Sequence, residues 1–341
     1  MKAITYRQYG GPEVVALADV AMPVPKRNEV LIRIHATTVT AGDHRARSLD
    51  LPAGFGVIGR LVFGVTGPRQ RILGTELAGV IAAVGDDVTR FHPGDEVIAF
   101  TGGAYGGHAE YRTMPEDGTI ALKPANLTFE EAASLSFGSM TALPFLRDKA
   151  RIQRGERVLV VGASGAVGTA AVQIARYFGA EVTGVSSTRN LDLVTAIGAQ
   201  HVIDYTRIDF TKTGNTWDII IDTTGTVTYD RCSASLSPNG RLVLIQASFG
   251  QTLGIGKPSK ASGRKVIAGY VPARPDDLRL IAQLAATGVL KPVVDRVYLL
   301  EQAAEAHAYV DTGRKRGSVV LTLGGTPSAA SSRLPIEVAA V

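Results

Sequence analysis

Hydrophobic and polar positions follow two different patterns along the chain. Up to about residue 125, short runs that alternate between apolar and polar side chains are separated by turn signals, as at residues 30–34, 79–84 and 96–100. Alternation with a period of two predicts half-buried β-strands. The spacing of these runs predicts a compact, β-rich barrel or sandwich in the first part of the chain.

The pattern changes at Arg157, where apolar runs begin to alternate with helical periodicity. Strands are predicted at residues 157–161, 181–185, 201–203, 217–223, 241–247, 265–270, 293–297 and 318–323. Helices are predicted at residues 166–178, 189–197, 276–287 and 301–310. Alternating strands and helices are typical of an α/β fold with a doubly wound parallel sheet. The last residues, 326–341, are rich in Ser and Ala and are predicted to be disordered.

A glycine-rich turn follows the first strand of this α/β part, in the sequence V-L-V-V-G-A-S-G-A-V-G at residues 158–168. Ala163 takes the first place of the G-x-G-x-x-G pattern, and Gly165 and Gly168 take the second and third. Between a strand and a helix, this pattern predicts that a dinucleotide pyrophosphate binds at the helix N-terminus. Gly165, Ala166, Val167 and Gly168 are therefore predicted to contact a cofactor, although such turns also simply join strands to helices.

The end of the next strand indicates which nicotinamide nucleotide is bound. An NAD site usually has Asp or Glu about 20 residues beyond the glycines, whereas no acid stands between Val182 and Leu191. Ser186, Ser187 and Arg189 stand there instead, and the planar donors of arginine suit phosphate. These residues predict a 2′-phosphate pocket and NADP(H) as cofactor. The alternative is that Arg189 is a solvated residue in the first turn of a helix.

Two later strand ends are predicted to reach the same ligand. Thr223 and Thr224 end one strand, and Gln246, Ala247 and Ser248 follow the next. Because ligands bind beyond the carboxyl ends of the strands in such sheets, these residues are predicted to lie near the ribose or the nicotinamide.

Size and composition set limits on the class of protein. With 341 residues the chain is long enough for two domains, and 45% hydrophobic and 20% charged residues are typical of a globular protein. The single cysteine, Cys232, excludes an intramolecular disulfide and a multi-cysteine zinc site. No apolar signal core and no run of 18 apolar residues occurs, so we expect a cytoplasmic protein without a membrane partner. A net charge of +5 without basic–aromatic runs does not indicate nucleic-acid binding.

Several motifs taken together resemble the medium-chain dehydrogenase/reductase superfamily, specifically its zinc-free, quinone-oxidoreductase-like branch. They lie at residues 72–80, 84–97, 107–111, 138–143, 163–168 and 222–225. The resemblance implies a GroES-like catalytic domain formed by residues 1–124 and 275–325, and a Rossmann domain at residues 125–274. It also implies a nicotinamide site in the cleft between the domains, and a homodimer.

Zinc-dependent members of this superfamily place a cysteine before an aspartate, a histidine in a G-H-E motif, and a second cysteine further on. Here Thr40 stands before Asp43, the G-H-E equivalent is G-T-E with Thr75 before Glu76, and Phe137 stands in the region of the second cysteine. Without imidazole or thiolate donors, no metal is predicted at the family position. The resemblance then implies reduction of a quinone or an α,β-unsaturated carbonyl compound, which needs no Lewis acid.

The resemblance also suggests three residues near the reaction. His44 is a candidate proton donor, with a surface histidine as the alternative. Asp43 is included among the candidate catalytic residues, although capping of its own turn is the favoured role. Thr141 corresponds to a hydroxyl residue near the nicotinamide, with a hydrogen bond to its own helix backbone as the alternative.

Further positions remain open. Tyr205 corresponds to a family tyrosine near the adenosine phosphate, or is a plain surface residue. Arg314 is a candidate for contact with NADPH, with its neighbours Lys315 and Arg316 as alternatives. The apolar segment at residues 49–72 either forms a wall of a hydrophobic substrate pocket or packs into the core.

Two other functions are considered beside a quinone or enone reductase. One is a zinc-free reductase of a narrower carbonyl or acyl substrate. The other is a non-catalytic scaffold that binds NADPH, which basic–aromatic patches or an amphipathic tail would favour.

Overall fold

The computed structural model describes residues 1–253 and 262–324; the predicted disordered tail, residues 326–341, lies outside the described residues. The strands are β1 (Lys2–Thr5), β2 (Ala16–Asp19), β3 (Glu29–Val39), β4 (Glu76–Val84), β5 (Glu96–Phe100), β6 (Tyr111–Pro115), β7 (Ile120–Leu122), β8 (Arg157–Val161), β9 (Glu181–Ser186), β10 (His201–Asp204), β11 (Trp217–Asp222), β12 (Leu236–Leu244), β13 (Lys265–Ile267), β14 (Val294–Leu299) and β15 (Ser318–Thr322).

The helices alternate with the later strands. They are α1 (Ala41–Ser48), α2 (Gly56–Phe63), α3 (Phe129–Ala133), α4 (Ser136–Pro144), α5 (Ala166–Tyr177), α6 (Leu191–Ala196), α7 (Tyr229–Cys232), α8 (Phe249–Leu253), α9 (Pro275–Ala286) and α10 (Ala303–Asp311).

A largely antiparallel sheet forms what we term the β-rich lobe. Among the described residues its strand order is β14-β15-β3-β4-β5-β7, with β6 paired to β3. The long strand β3 is central because it pairs with β4, β6 and β15. Its alternate side chains Val30, Ile32 and Ile34 are at most 3% exposed and fill the core of the lobe. The predicted β-rich first part of the chain is therefore confirmed.

A parallel sheet forms the second lobe, which we term the parallel-sheet lobe. Its order among the described residues is β10-β9-β8-β11-β12-β13. Numbered along this lobe alone the order is 3-2-1-4-5-6, the doubly wound arrangement of dinucleotide-binding sheets. Val158, Leu159 and Val160 of β8 are fully buried, as expected for a strand that helices cover on both faces. Strand order reverses between β8 and β11, so a ligand crevice is expected at their carboxyl ends.

One of the buried apolar clusters spans both lobes. Ile98 and Val320 of the β-rich lobe belong to the same buried cluster as Leu143 of α4 and Val158 of the parallel sheet. Helix α9, which the prediction placed in the catalytic domain, contributes Leu278 to this cluster and packs against α4 and β7. The domain boundaries at residues 124, 275 and 325 stay a prediction.

Some element boundaries differ from the sequence prediction. β12 begins at Leu236, five residues before its predicted start, and β13 ends at Ile267 instead of Tyr270. The apolar segment at residues 49–72 contains the helix α2, which was not predicted because it has only 8 residues and begins without a capping side chain. Within residues 1–253 and 262–324, no helix is both long enough and apolar enough to cross a membrane.

Candidate active site between the two lobes

The glycine-rich turn between β8 and α5 is tighter than the motif alone indicates. Gly162 has a φ of +80°, and a Cβ there would lie 2.5 Å from Thr224 Cγ2 and 2.6 Å from Thr223 Oγ1. A Cβ on Gly168 would lie 2.0 Å from the carbonyl oxygen of Gly162. Glycine alone fits these two positions. Sequence reasoning missed Gly162 because it gave the first place of the motif to Ala163.

Gly165 differs from these two glycines, because packing within the chain does not require it. Its φ is −80°, and a Cβ there would meet only the oxygen of Gly162, at an ordinary 3.6 Å. Gly165 is the N-cap residue of α5, and no side chain among the described residues caps this end. The first N–H groups of the helix, with the positive end of its dipole, are therefore open to a ligand. The space at Gly165 and the amide donors of Ala166 and Val167 fit a pyrophosphate.

Polar side chains at and just after the end of β9 form hydrogen bonds with the glycine-rich turn. Ser186 Oγ donates to Ser164 Oγ over 2.8 Å, and Asn190 Nδ2 donates to the same oxygen over 3.0 Å. Ser186 is only 3% exposed. Its hydroxyl is therefore used to hold the turn, and the exposed face of the pocket is left to other residues.

Those other residues meet beyond the ends of β9 and β10. Arg189 Nη2 donates to the carbonyl oxygen of Arg314 over 3.0 Å, and the Tyr205 amide donates to the carbonyl oxygen of Ser186 over 3.0 Å. The Tyr205 side chain is 63% exposed. The structure thus brings Ser187, Arg189, Tyr205 and Arg314 to one edge of the parallel sheet, although they lie far apart in the sequence.

An acidic residue also lies at this edge, and sequence reasoning missed it. Asp204 of β10 pairs in register with Ser186 of β9. Its carboxylate accepts hydrogen bonds from the hydroxyl of Thr188 and from the amide and hydroxyl of Thr206, and these lower the pKa of Asp204. The spacing rule points to the end of β9, whereas this carboxylate comes from the neighbouring strand β10.

The ends of β11 and β12 are cross-linked beside the turn. Thr223 Oγ1 donates to the carbonyl oxygen of Val161 over 2.9 Å, and Gln246 Nε2 donates to the carbonyl oxygen of Thr223 over 2.9 Å. Thr224 Oγ1 donates to the Asp222 carboxylate over 2.6 Å. These bonds join the ends of β8, β11 and β12 at the point where the strand order reverses. Ala247 and Ser248 follow directly, and Ser248 Oγ accepts from the amide of Gln251 in the first turn of α8.

The β-rich lobe contributes a buried carboxyl group, Glu76. The hydroxyl of Thr38 and the amide of Phe137, at the start of α4, both donate to it. Glu76 is fully buried, and burial raises its pKa to about 7 in spite of these two hydrogen bonds. Glu76 therefore joins the β-rich sheet to the helix that leads into the parallel-sheet lobe.

Lys315 lies between the two lobes, next to the glycine-rich turn. Its Nζ donates to the carbonyl oxygen of Gly317 over 2.7 Å, and the Gly317 amide donates to the carbonyl oxygen of Ser164 over 2.7 Å. Burial lowers the pKa of Lys315 to about 8, against the opposing attraction of Glu76. Of the three basic neighbours, Lys315 is thus the one tied to the turn, whereas the side chain of Arg314 is exposed.

This chain is similar to known proteins over nearly its whole length. Family models described as alcohol dehydrogenase GroES-like domain and as zinc-binding dehydrogenase match residues 26–124 and 197–321. The quinone oxidoreductase of Homo sapiens is 33% identical over 343 residues, which cover 95% of this chain and 98% of that protein. The chain belongs to the medium-chain dehydrogenase/reductase superfamily, in its quinone-oxidoreductase-like branch. The predicted fold, a GroES-like part with a Rossmann sheet, is confirmed.

Other members of the superfamily are similar to a comparable degree. The 2-methylene-furan-3-one reductase of Solanum lycopersicum is 31% identical and covers 94% of this chain and 79% of its own length. A solved structure described as an NAD-dependent alcohol dehydrogenase is 30% identical, with a TM-score of 0.83 over 95% of this chain and 100% of that chain.

The positions where zinc-dependent members of the superfamily carry ligands lie together in this chain. Thr40 Oγ1 is 3.3 Å from Thr75 Oγ1, and a Cβ on Gly42 would lie within 3.6 Å of Thr40, Thr75 and Phe137. Within the described residues, no group of three or more His, Cys, Asp or Glu side chains could hold a metal. Two hydroxyls, a phenyl ring and the engaged carboxyl of Glu76 do not fit a zinc ion.

Asp43 lies beside Thr40, is fully buried, and accepts three hydrogen bonds through its carboxylate. The Thr40 amide, the Thr40 hydroxyl and the Gly74 amide donate to its carboxylate over 2.8, 2.6 and 2.7 Å. Together with the bond from the Asp43 amide to Thr40 Oγ1, this forms a capping box at the start of α1. The arrangement assigns Asp43 a structural part: it joins α1 to the loop before β4.

His44 and Thr141 have different surroundings. His44 Nδ1 lies 2.7 Å from the carboxylate of Asp311 on α10, so its ring is held within the β-rich lobe. Thr141 Oγ1 donates to the carbonyl oxygen of Phe137 over 2.7 Å. Its proton is therefore engaged, but its lone pairs are able to accept a hydrogen bond.

The segment at residues 49–56 crosses to the parallel-sheet lobe. The Phe249 amide donates to the carbonyl oxygen of Ala53 over 2.9 Å, and the rings of Phe55 and Phe249 meet edge to face with centroids 5.4 Å apart. The following helix α2 exposes Val57 and Leu61, by 76% and 58%. These side chains do not pack into the core, so the alternative of core packing for this segment does not hold for them.

Proposed function

We propose that the protein is a zinc-independent, NADPH-dependent oxidoreductase that reduces a quinone or an α,β-unsaturated carbonyl compound. One observation carries the proposal: helix α4 packs against the open glycine-rich turn, since a Cβ on Gly138 would lie 2.3 Å from the carbonyl oxygen of Ala166, and its first turn carries Phe137 beside the hydroxyl groups that take the positions of zinc ligands. A quinone or enone accepts electrons without a Lewis acid, whereas oxidation of an alcohol needs a group that strips and stabilises its proton. The names of the human and tomato relatives support the same two substrate classes.

The residues that hold the dinucleotide lie on both lobes. The amides of Ala166 and Val167 bind the pyrophosphate at the start of α5, where Gly165 leaves room for it. Lys315 adds a positive charge from the β-rich lobe. When bound, the nicotinamide supplies a hydride; the protein orients it and excludes water.

Recognition of the 2′-phosphate falls to Ser187, Arg189 and Tyr205. The Arg189 guanidinium donates to the carbonyl oxygen of Arg314 through one nitrogen, which leaves its other donors for phosphate oxygens. The hydroxyls of Thr188 and Thr206 keep Asp204 ionised, and its charge works against a phosphate at this edge, but Arg207, whose Nε lies 3.8 Å from this carboxylate, and Arg189 outnumber it. We therefore assign NADPH, with NADH as the alternative.

The nicotinamide end of the coenzyme is held by the residues that follow β11 and β12, namely Thr223, Thr224, Gln246, Ala247 and Ser248. Thr141 accepts a hydrogen bond from the carboxamide, because its own proton is donated to the helix backbone. For the same reason Thr141 does not protonate the substrate. Solvent supplies that proton, with His44 as the alternative donor.

Phe55, Phe137 and Phe249 form apolar surfaces for a flat acceptor, which is positioned face to face with the cofactor. We also infer a homodimer in which the edge strand β13 pairs with its counterpart in a second copy, since an edge strand presents unpaired N–H and C=O groups. Sedimentation velocity with the purified chain tests the dimer: a single species of monomer mass contradicts it.

Turnover is tested by following the absorbance of reduced nicotinamide with naphthoquinones, enones, aldehydes and alcohols in turn. We expect NADPH oxidation with quinones or enones, unchanged by a chelator. An enzyme that is inactive until zinc is restored contradicts the proposal. Tight NADPH binding without oxidation by any acceptor would instead identify a non-catalytic scaffold, and activity with one carbonyl or acyl class alone would identify the narrower reductase.

The cofactor assignment has its own test. We expect Arg189→Glu to weaken NADPH binding at least about tenfold, because the new carboxylate repels the 2′-phosphate, and to leave NADH binding nearly unchanged. Arg154→Glu, the same change at an exposed arginine before the start of β8, is the matched control. Equal losses for NADPH and NADH in Arg189→Glu would remove Arg189 from the phosphate pocket.

A further inference from the structure

A cavity of about 380 Å³ lies in the β-rich lobe, away from the proposed coenzyme cleft. It is lined by residues from three parts of the chain, 1–23, 69–72 and 106–112, and none of them belongs to the parallel-sheet lobe. Its volume lies within the range of small-molecule binding sites, about 300–1,000 Å³. It is therefore large enough for a ligand that none of the roles assigned above accounts for.

The charged groups around this cavity are all positive. Arg69, Arg71 and Arg112 line it together with the terminal residue Met1, and no lining residue is acidic. The flanking sequence has the same bias, because residues 51–75 contain no Asp or Glu. Among the described residues, none of the three guanidinium groups has an ion pair or a side-chain hydrogen bond, so all three are available to a ligand.

The nearest carboxylates in sequence are already engaged elsewhere. Lys2 Nζ forms an ion pair with Asp19 over 2.7 Å, and the Lys2 amide donates to the carboxylate of Glu110 over 2.7 Å. Neither residue lines the cavity. Glu29, which attracts Arg112, and Glu110 offset part of the positive charge, but no carboxylate stands in the wall of the cavity itself.

Arg112 provides a second, independent observation. Its Nε is buried and has no hydrogen-bond partner among the described residues. The side chain lies against Gly106, where a Cβ would come within 3.1 Å of Arg112 Cδ, Nε and Cζ, so the glycine makes room for the guanidinium at the cavity wall. Burial lowers the pKa of Arg112. An oxyanion in the cavity reaches the terminal Nη atoms of Arg112 rather than this Nε, and its negative charge would stabilise the guanidinium charge that burial disfavours.

We propose that this cavity binds a phosphate-bearing ligand through Arg69, Arg71 and Arg112, at a site separate from the coenzyme cleft. Guanidinium groups present planar pairs of donors that match phosphate oxygens, and three of them suit the double negative charge of a phosphate monoester. The volume leaves room for the organic group that carries the phosphate. That group is either a soluble molecule or a lipid, and the helix α2, which ends close to Arg69, exposes the apolar side chains Val57 and Leu61.

The test measures binding of inorganic phosphate and glycerol 3-phosphate to the full chain by isothermal titration calorimetry. We expect the affinity for glycerol 3-phosphate to fall at least about tenfold in Arg71→Gln and in Arg112→Gln. The matched control is Arg154→Gln, an exposed arginine on the parallel-sheet lobe, which should bind as the parent chain does. Arg71 is exposed, so its variant keeps the test valid even if Arg112→Gln fails to fold.

Vesicles of phosphatidylcholine with and without phosphatidic acid separate the two sources of phosphate. Binding of the soluble ester, or binding to phosphatidic acid vesicles alone, supports the site if Arg71→Gln removes it. The proposal is overturned if phosphate, ester and vesicles all fail to bind, or if the arginine variants bind as well as the control. It is equally overturned if Arg189→Glu removes binding and Arg71→Gln does not, because the anion then lies in the coenzyme cleft.

Discussion

Replacement of the buried Glu76 by glutamine gives a direct test of the electrostatics between the lobes. The folded protein raises the pKa of Glu76 from 4.5 to about 7. At a pH between these two values, the folded state keeps a proton on this carboxyl, whereas the unfolded state has lost it. Stability therefore falls as pH rises through this window, because the unfolded chain binds fewer protons than the folded one.

The magnitude follows from the size of the shift. One pKa unit corresponds to about 1.4 kcal/mol, so ionisation of Glu76 costs the folded protein about 3 kcal/mol between about pH 5 and pH 7.5. In Glu76→Gln, the amide oxygen is able to accept from the Phe137 amide while the NH₂ group donates to the hydroxyl of Thr38. The variant should thus keep both hydrogen bonds and have no charge to bury.

The assay is denaturant unfolding of both proteins at a series of pH values up to about 7.5, which stays below the pKa of about 8 of Lys315. We expect the variant to lie within about 1 kcal/mol of the parent at about pH 5 and to exceed it by about 2–3 kcal/mol at about pH 7.5. Glu301→Gln, at an exposed site, controls for the loss of a carboxylate. A difference between Glu76→Gln and the parent that does not change with pH would refute the reasoning.

Three other outcomes follow from the site. Coenzyme binding should raise the pKa of Lys315 from about 8, because the pyrophosphate is negative, so protons are taken up at about pH 8.5. Calorimetry in buffers of different ionisation enthalpy measures this proton uptake, and Lys315→Met should abolish it. Gly168→Ala should destabilise the fold by about 2–4 kcal/mol, because the new methyl group meets backbone, whereas Gly165→Ala should keep its melting temperature and lose coenzyme affinity; equal melting temperatures for the two variants would contradict the packing argument. His44→Gln should retain kcat within about threefold if solvent supplies the proton, and a loss of about 100-fold or more would make His44 the donor.

The sequence predicts the two sheets well, because their signals are local. Alternation in the strands of the β-rich lobe and continuous apolar runs such as that of β8 depend only on neighbouring residues and on which faces are covered. The helix α2 was missed because it is short and lacks a capping side chain, so the sequence carries no start signal for it.

Site residues that depend on contacts between elements could not be predicted in this way. Asp204 reaches the end of β9 only through strand pairing, and Lys315 reaches the glycine-rich turn only because Gly317 bonds to Ser164 across the lobes. Gly162 is a different case, since its role depends on a positive φ that no side chain records. A glycine directly after an apolar strand is the signal that could have identified it.

The main-chain bonds between the lobes restrict how the cleft is able to open. One joins Gly317 to Ser164 beside the glycine-rich turn, and the other joins Ala53 to Phe249 near the strand ends. The first lies beside the glycine-rich turn and the second beside the ring contact of Phe55 with Phe249, so the two are able to break independently. Loss of the bond between Ala53 and Phe249 alone would admit a bulky acceptor, while the bond between Gly317 and Ser164 still holds the glycine-rich turn.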